Sequence, residues 1–146
     1  MDFANNVDVN PRVGSTAGMI RLRHQQSPVL SYTTMLDANS VFDGNVYGRP
    51  VANSPVTGWV LPNAGGISSG GVFATFAAYK SATAALGRPL DANGYSADGQ
   101  GAALNSDYSV KTPIYSAAIG GAVPLPPDVA AAVGKPVGTK HVGIWT

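Results

Sequence analysis

The sequence contains no cysteine and no glutamate, and both absences narrow what the chain can do. Without cysteine it forms no disulfide, has no thiolate nucleophile and builds no cysteine-ligated zinc site. Glutamate is among the strong helix formers for exposed positions, and lysine, another of them, occurs only four times. The composition therefore argues against a helical bundle.

Charge is also sparse. Charged residues make up 12% of the chain and the formal net charge is +1, whereas about 25% charged residues is typical of soluble domains. A net charge this small gives no electrostatic reason to expect nucleic acid as a partner. A surface built largely from small and neutral polar residues instead favours a protein that packs against neighbouring subunits.

The length of 146 residues predicts one domain that can bury a core of its own. The first twenty residues contain no basic start followed by an apolar run, so no secretory signal is predicted. No apolar stretch reaches the length of a membrane span, and no membrane partner is expected. Residues 1–18 are polar and rich in turn residues, which predicts an extended N-terminal arm ahead of a domain over 19–146.

Short alternating segments predict strands over 19–24, 29–36, 56–61 and 139–145, with a further strand over 108–119 that is interrupted at Pro113. Asp43-Gly44 lies inside the apolar run 41–47 and predicts a tight hairpin. We therefore expect a mainly β protein, an antiparallel sandwich or barrel-like fold with one alanine-rich helix. An α+β fold is the alternative.

The alanine-rich helix is predicted at about 71–86, because five residues fall at helical spacing on one stripe: Val72, Phe76, Tyr79, Thr83 and Leu86. Ser68 or Ser69 would cap its start, and Gly87 with Pro89 would end it. One or two further helical turns are predicted over 128–133.

The segment Gly66-Ile67-Ser68-Ser69-Gly70 matches the nucleophile-elbow pattern, and His141 lies downstream with several aspartates between them. However, Pro62 and Asn63 separate the preceding strand from this turn, and the strands lack the long Val/Ile runs of a parallel hydrolase core. A loop leading into the helix is favoured, so we predict no enzyme and no catalytic residue. A small serine hydrolase centred on Ser68 stays as the second alternative.

The turn-rich loop between Asp91 and Asp98 carries oxygen ligands that would suit calcium. Its order does not match an EF-hand, because Tyr95 and Ser96 occupy positions where a ligand and a glycine belong. A solvated turn is the favoured interpretation, and no metal or cofactor is predicted.

Five residues are candidates for contacts with partners. Three are a basic group near the N-terminus and two are tryptophans: Arg12, Arg21, Arg23, Trp59 and Trp145. The arginines could meet acidic groups of a partner, and Trp59, Tyr95 or Trp145 in a groove would suit sugars. A carbohydrate- or ligand-binding β-sandwich module is therefore the first alternative function.

A polar arm, sparse charge, many short strands and no convincing active site together give a layout that resembles the small decoration or cement proteins of tailed bacteriophage capsids. The resemblance covers composition and order of elements and involves no residue motif. It implies a homo-oligomeric, non-catalytic structural protein, made in the host cytoplasm and located in the virion. Its expected partner is the major capsid protein, whose shell it would stabilise through arm and loop contacts.

Overall fold

The structure, a computed structural model, describes residues 3–9, 20–21, 39–51, 59–60 and 71–143, and the statements below concern these residues. In this part of the chain, three α-helices and a 3₁₀ helix occur with eight strands of two or three residues each. Helical residues outnumber strand residues, and nearly all strand pairs are parallel. The prediction of a mainly β, antiparallel sandwich or barrel is therefore wrong.

Two N-terminal strands, β1 (Phe3–Ala4) and β2 (Val7–Val9), run parallel to β4 (Phe42–Asp43) and β5 (Val46–Gly48). Strand β8 (Tyr95–Ser96) pairs with the other side of β5, again in parallel. The resulting order β2–β5–β8 is called the parallel stack below. It brings together three segments that are far apart in the chain.

The register between the first two segments is continuous, because Phe3 lies opposite Phe42 and Val7 opposite Val46. Residues 3–7 and 42–46 share the pattern Phe-x-x-Asn-Val, so like residues lie side by side along both segments. Stacking the same residue types in register lets apolar side chains cover one another and amides hydrogen-bond across the pair.

The predicted hairpin at Asp43-Gly44 is wrong, because β4 and β5 do not pair with each other. Gly44 has φ 71° and Asn5 has φ 58°, so both segments change direction slightly at this level and then continue. A Cβ atom on Gly44 would lie 2.7 Å from Oδ1 of Asn5. The glycine thus permits close approach of the neighbouring segment. An Asp-Gly pair is also typical of a tight hairpin turn, so the local sequence does not distinguish the two cases.

Residues 3–9 lie within the predicted arm of 1–18, but they are part of the folded body. The Asn5 side chain donates to the carbonyl of Val123 and accepts from its N–H, both at 2.7 Å, and Gly143 N–H donates to the Asn5 carbonyl. The rest of the arm, residues 1–2 and 10–18, lies outside the described residues, and for those the arm stays a prediction.

A second small sheet has the order β3–β6–β7, formed by Ile20–Arg21, Trp59–Val60 and Val72–Phe73. Strand β6 is parallel to β3 and antiparallel to β7. Strands β3 and β6 fall inside the predicted segments 19–24 and 56–61, whereas β7 occupies the predicted start of the helix.

Helix α1 spans Phe76–Ala85 and begins later than the predicted 71–86. Thr75 is its N-cap, and the Thr75 hydroxyl accepts from Ala78 N–H at 3.2 Å. Phe76, Tyr79 and Thr83 are buried as the stripe predicted, but Val72 and Leu86 are exposed. The predicted caps Ser68 and Ser69 lie outside the described residues.

The buried face of α1 belongs to an aromatic cluster that also contains Tyr47 and Trp59. The Trp59 ring stacks on Tyr79 at 5.9 Å between centroids and contacts Phe76 at 5.5 Å. Aromatic side chains dominate this core because each buries a large apolar area in a chain that has few long aliphatic residues to offer.

The predicted strand over 108–119 is wrong over most of its length, because α2 spans Thr112–Ala118 and continues into a 3₁₀ helix at Ile119–Gly121. Pro113 sits in the first turn of α2, where a missing N–H costs nothing. Ile114 and Ala118 are buried in a second core beside Val46 and Val142. Helix α3, at Pro127–Ala132, confirms the short helix predicted over 128–133.

Candidate functional site

Asp91 is fully buried and joins the segments of the parallel stack through its carboxylate. Its Oδ1 accepts from the Asn45 side chain at 2.6 Å and from Asn45 N–H at 3.3 Å, and its Oδ2 accepts from the Tyr47 hydroxyl at 2.7 Å. Burial raises the pKa of Asp91 to about 6, although these hydrogen bonds oppose the rise. A carboxyl group thus titrates inside the core at mildly acidic pH.

The backbone holds Asp91 in a left-handed conformation with φ 50°. Its N–H donates to the Phe42 carbonyl and its carbonyl accepts from Gly94 N–H at 2.9 Å, which fixes the turn that leads into β8. Asx residues tolerate this conformation better than other residues with a Cβ atom, because the short polar side chain can hydrogen-bond locally. Asp91 therefore works as a turn residue and a cross-link at once.

A second carboxylate, that of Asp43, also links two of these segments by hydrogen bonds. Asp43 accepts from the N–H of Asn93 at 2.8 Å and from the Asn93 side chain at 2.7 Å. Asn6 is linked in turn to Asn45, whose side-chain oxygen accepts from Asn6 N–H at 2.9 Å. Carboxylates and amides thus tie the three segments side by side.

Arg49 is buried, with 1% of its surface exposed, and forms a bidentate ion pair with Asp98. Its Nε and Nη2 lie 2.8 and 2.6 Å from the two oxygens of Asp98, and Nη2 also donates to the Ala74 carbonyl at 2.8 Å. The guanidinium carbon lies 5.4 Å from the centre of the Trp59 ring. A buried cation with this many contacts fixes the loop 91–99 against the start of α1.

These contacts occupy the carboxylates that suggested calcium. Asp91 accepts hydrogen bonds from Asn45 and Tyr47, and Asp98 forms an ion pair with Arg49. Within the described ranges, no group of three or more histidine or acidic side chains is placed to hold a metal ion. The described part of this loop is a hydrogen-bonded structural element and not a solvated turn.

A different feature of the surface is a short loop that lies between two grooves. Residues 104–110 form this loop, here called the finger loop. An antiparallel bridge between Leu104 and Val110 pairs its two ends. Tyr108 lies at its tip with 72% of its surface exposed and φ 65°. The polar residues Asn105 to Asp107 before Tyr108 are a turn signal, but the predicted strand 108–119 begins inside this loop.

The finger loop has a groove on each side. One, of about 330 Å³, is lined by Asn5, Asn6 and Val7 of the N-terminal segment together with Tyr108. The other, of about 320 Å³, is lined by Ser109 and by residues of α2 and the C-terminal segment: Thr112, Tyr115 and His141. Val110 lines both grooves, so they share a wall.

His141, the downstream histidine of the predicted hydrolase motif, lies in the second groove. Its Nδ1 is 3.3 Å from the Tyr115 hydroxyl, and the two rings are 5.6 Å apart between centroids. Ser68 lies outside the described residues, so the serine hydrolase alternative stays a prediction.

The predicted interaction residues are not brought together in the described part of the chain. Trp59 is buried at 1% exposure under Arg49, so it presents no ring to a ligand. Of Arg21 only the backbone pairing with Val60 is described. Arg12, Arg23 and Trp145 lie outside the described residues, and for these the predicted contacts stay predictions.

Comparison of the chain with protein-family models, with curated proteins and with solved structures found no match. Among the described residues, no helix combines the length and the apolar character needed to cross a membrane.

Proposed function

We propose that the protein is a structural component of an assembly, and that the assembly is a virion shell to which it binds as a decoration protein. The role in an assembly is supported by the exposed apolar side chains described in the next paragraph. The virion shell is supported by the resemblance in composition and layout to capsid decoration proteins. The major capsid protein is the proposed partner, and several copies are expected to bind together.

The observation that carries the proposal is a set of large apolar side chains left exposed on a chain with few charges. Val129 and Val133 lie one turn apart at α3, and Val137 follows on the next loop with 72% of its surface exposed. Leu86 and Val51 are exposed elsewhere. Exposed apolar groups on a chain with few charges favour burial against another subunit, although Asp128 and Lys135 lie beside the valines of 129–137.

The buried polar groups also support a structural function, because they hold chain segments together. Asp91 and Arg49 are committed to hydrogen bonds that hold chain segments together. A buried acid with a raised pKa often indicates catalysis, but here its oxygens point at Asn45 and Tyr47 and not into a pocket. Their chemistry is that of a rigid scaffold.

The test is sedimentation with particles. Shells assembled without this gene are mixed with the purified full-length protein and centrifuged, and the protein is expected in the pellet at a fixed ratio to the major capsid protein. The double variant Val129→Asp, Val133→Asp should remain in the supernatant, because two carboxylates cannot be buried without partners. Ala131→Asp is the control, since it places one carboxylate on another face of the same helix.

Wild-type protein that never associates with shells and sediments alone as a monomer would contradict the proposal. Equal binding by the double variant would move the interface away from α3 while leaving the assembly role in place.

A further inference from the structure

Tyr108 has φ 65° in a short turn, where its N–H donates to the Asn105 carbonyl at 3.1 Å and Asn105 N–H donates to the Ser109 carbonyl at 2.9 Å. A bulky residue with positive φ costs about 1–3 kcal/mol, and such residues cluster at functional sites. Asn5 and Asp91 share this conformation, and each uses its side chain to bind other segments. The Tyr108 side chain makes no hydrogen bond or ring contact with the described residues, and most of it faces solvent.

The loop that carries Tyr108 is braced by its own side chains. Asp107 Oδ1 accepts from Ser109 N–H at 3.0 Å and from the Ser109 hydroxyl at 2.6 Å, and Asn105 donates to the same hydroxyl at 3.0 Å. These bonds lower the pKa of Asp107. The exposed ring therefore stands on a preorganised support, which reduces the entropy lost when a ligand binds.

The grooves beside the ring are lined by amide, hydroxyl and apolar groups, together with the His141 imidazole. Among the described residues that line them there is no aspartate, lysine or arginine. The carboxamide oxygen of Asn6 in one groove and the hydroxyl of Thr112 in the other make no hydrogen bond within the described structure, and both side chains are exposed. Volumes of about 330 and 320 Å³ lie at the small end of ordinary ligand pockets, about 300–1,000 Å³.

We propose that the finger loop and its two grooves form a binding site for a neutral saccharide, with the face of Tyr108 as the stacking surface. A sugar ring presents C–H groups on its face and hydroxyls at its edge. Aromatic rings pack against the former, and amides and hydroxyls hydrogen-bond with the latter. An anionic ligand would find no lysine or arginine in the described lining and would meet the negative charge of Asp107.

The site is distinct from the exposed valines on which the proposed assembly role rests, so each proposal can fail without the other. A sugar-binding site at Tyr108 needs no second copy of the chain.

Saturation-transfer NMR on the full-length protein tests the site, with neutral methyl glycosides and their disaccharides as probes and glucose 6-sulfate as the charged probe. Neutral probes should receive saturation and shift the amide signals of residues 104–110. Tyr108→Gly should weaken binding by about tenfold or more, the loss expected for one stacked aromatic ring. Because glycine adopts positive φ freely, this variant should melt at the same temperature or higher.

Tyr108→Phe retains the ring and should bind like the wild type, as should Leu86→Ala, a matched control in which an exposed apolar side chain is removed at the end of α1. The proposal is overturned if no neutral saccharide in the panel binds, if Tyr108→Gly binds as tightly as the wild type, or if glucose 6-sulfate is preferred.

Discussion

Asp91 and Tyr108 both have positive φ, yet one is fully buried and the other is mostly exposed. Around Asp91 the unfavourable backbone conformation is offset, since it aims a carboxylate at Asn45 and Tyr47. The Tyr108 side chain makes no hydrogen bond with the described residues, and its turn is held by Asn105, Asp107 and Ser109. The positive φ thus serves the packing of the core at Asp91, whereas at Tyr108 it serves a turn that leaves an aromatic ring exposed.

The largest loss of stability is expected when the buried cation Arg49 is replaced. Arg49→Met removes the partner of Asp98 and the donor to the Ala74 carbonyl. Breaking a buried pair by removing one partner costs about 3–5 kcal/mol. Urea unfolding would measure this loss, with Lys140→Met as an exposed control whose ammonium donates one bond to Gly120. A loss no larger than that of the control would show that the core does not depend on this pair.

The buried acid predicts a pH dependence of its own. The folded pKa of Asp91, about 6, lies above its ordinary 3.8, so the folded state binds the proton more tightly. The contribution of Asp91 to stability is therefore greatest below pH 3.8 and falls as the pH rises through 6. A shift of this size corresponds to about 3 kcal/mol. Asp91→Asn cannot titrate and should lose this slope, as measured by urea unfolding at several pH values.

Asp107→Asn is the control for this slope. The folded pKa of Asp107 is lowered, so its contribution to stability is present above pH 3.8 and is lost as the pH falls further. The stability of this variant should therefore lack the wild-type loss at low pH, and its slope should match that of the wild type at higher pH. If Asp91→Asn retains the wild-type slope between pH 4 and 6, the group that titrates in the core is another one.

Glycine substitutions compare the two strained residues directly. Tyr108→Gly should raise the free energy of unfolding by up to about 1 kcal/mol, because glycine removes the cost of positive φ at an exposed residue. Asp91→Gly relieves the same strain but leaves Tyr47 and Asn45 without their acceptor, so it should destabilise. Differential scanning calorimetry would show shifts of opposite sign, and equal signs would contradict the distinction between the two residues.

The smallest effect is expected in the brace of the finger loop. Ser109→Ala removes the hydroxyl that joins Asp107 to Asn105. These bonds are exposed, so the loss of stability should be within about 0.5 kcal/mol. Amide hydrogen exchange of residues 104–110 should nevertheless accelerate, whereas Ser116→Ala on the exposed surface of α2 should leave it unchanged. Unchanged exchange in Ser109→Ala would mean that the brace does not order the loop.

Local patterns predicted part of this fold. The spacing of Phe76, Tyr79 and Thr83 identified the buried face of α1, because helical periodicity needs no knowledge of distant segments. The direction of the chain at Gly44 was not predictable in the same way. Its positive φ serves a close neighbour 39 residues away, and the sequence shows that neighbour only through the shared Phe-x-x-Asn-Val pattern at 3–7 and 42–46.

The surroundings of the candidate residues could not be predicted from residue type alone. Trp59 was a candidate for ligand contact by residue type, but burial depends on Arg49 and Tyr79, which no local window relates to it. Tyr108 was passed over because the strand prediction over 108–119 ignored that Pro113 suits the first turn of a helix. Had that helix been recognised, the polar residues before it would have stood out as a loop.

The pairing of the N-terminal segment has a consequence for synthesis. Asn5 bonds to Val123, 118 residues later, and its carbonyl accepts from Gly143. A ribosome adds about 5–20 residues per second, so residues 3–9 wait for several seconds before their last partners exist. During that interval the apolar residues of the N-terminal segment are exposed to other chains. Folding of this protein is thus expected to complete late, after nearly the whole described chain has been made.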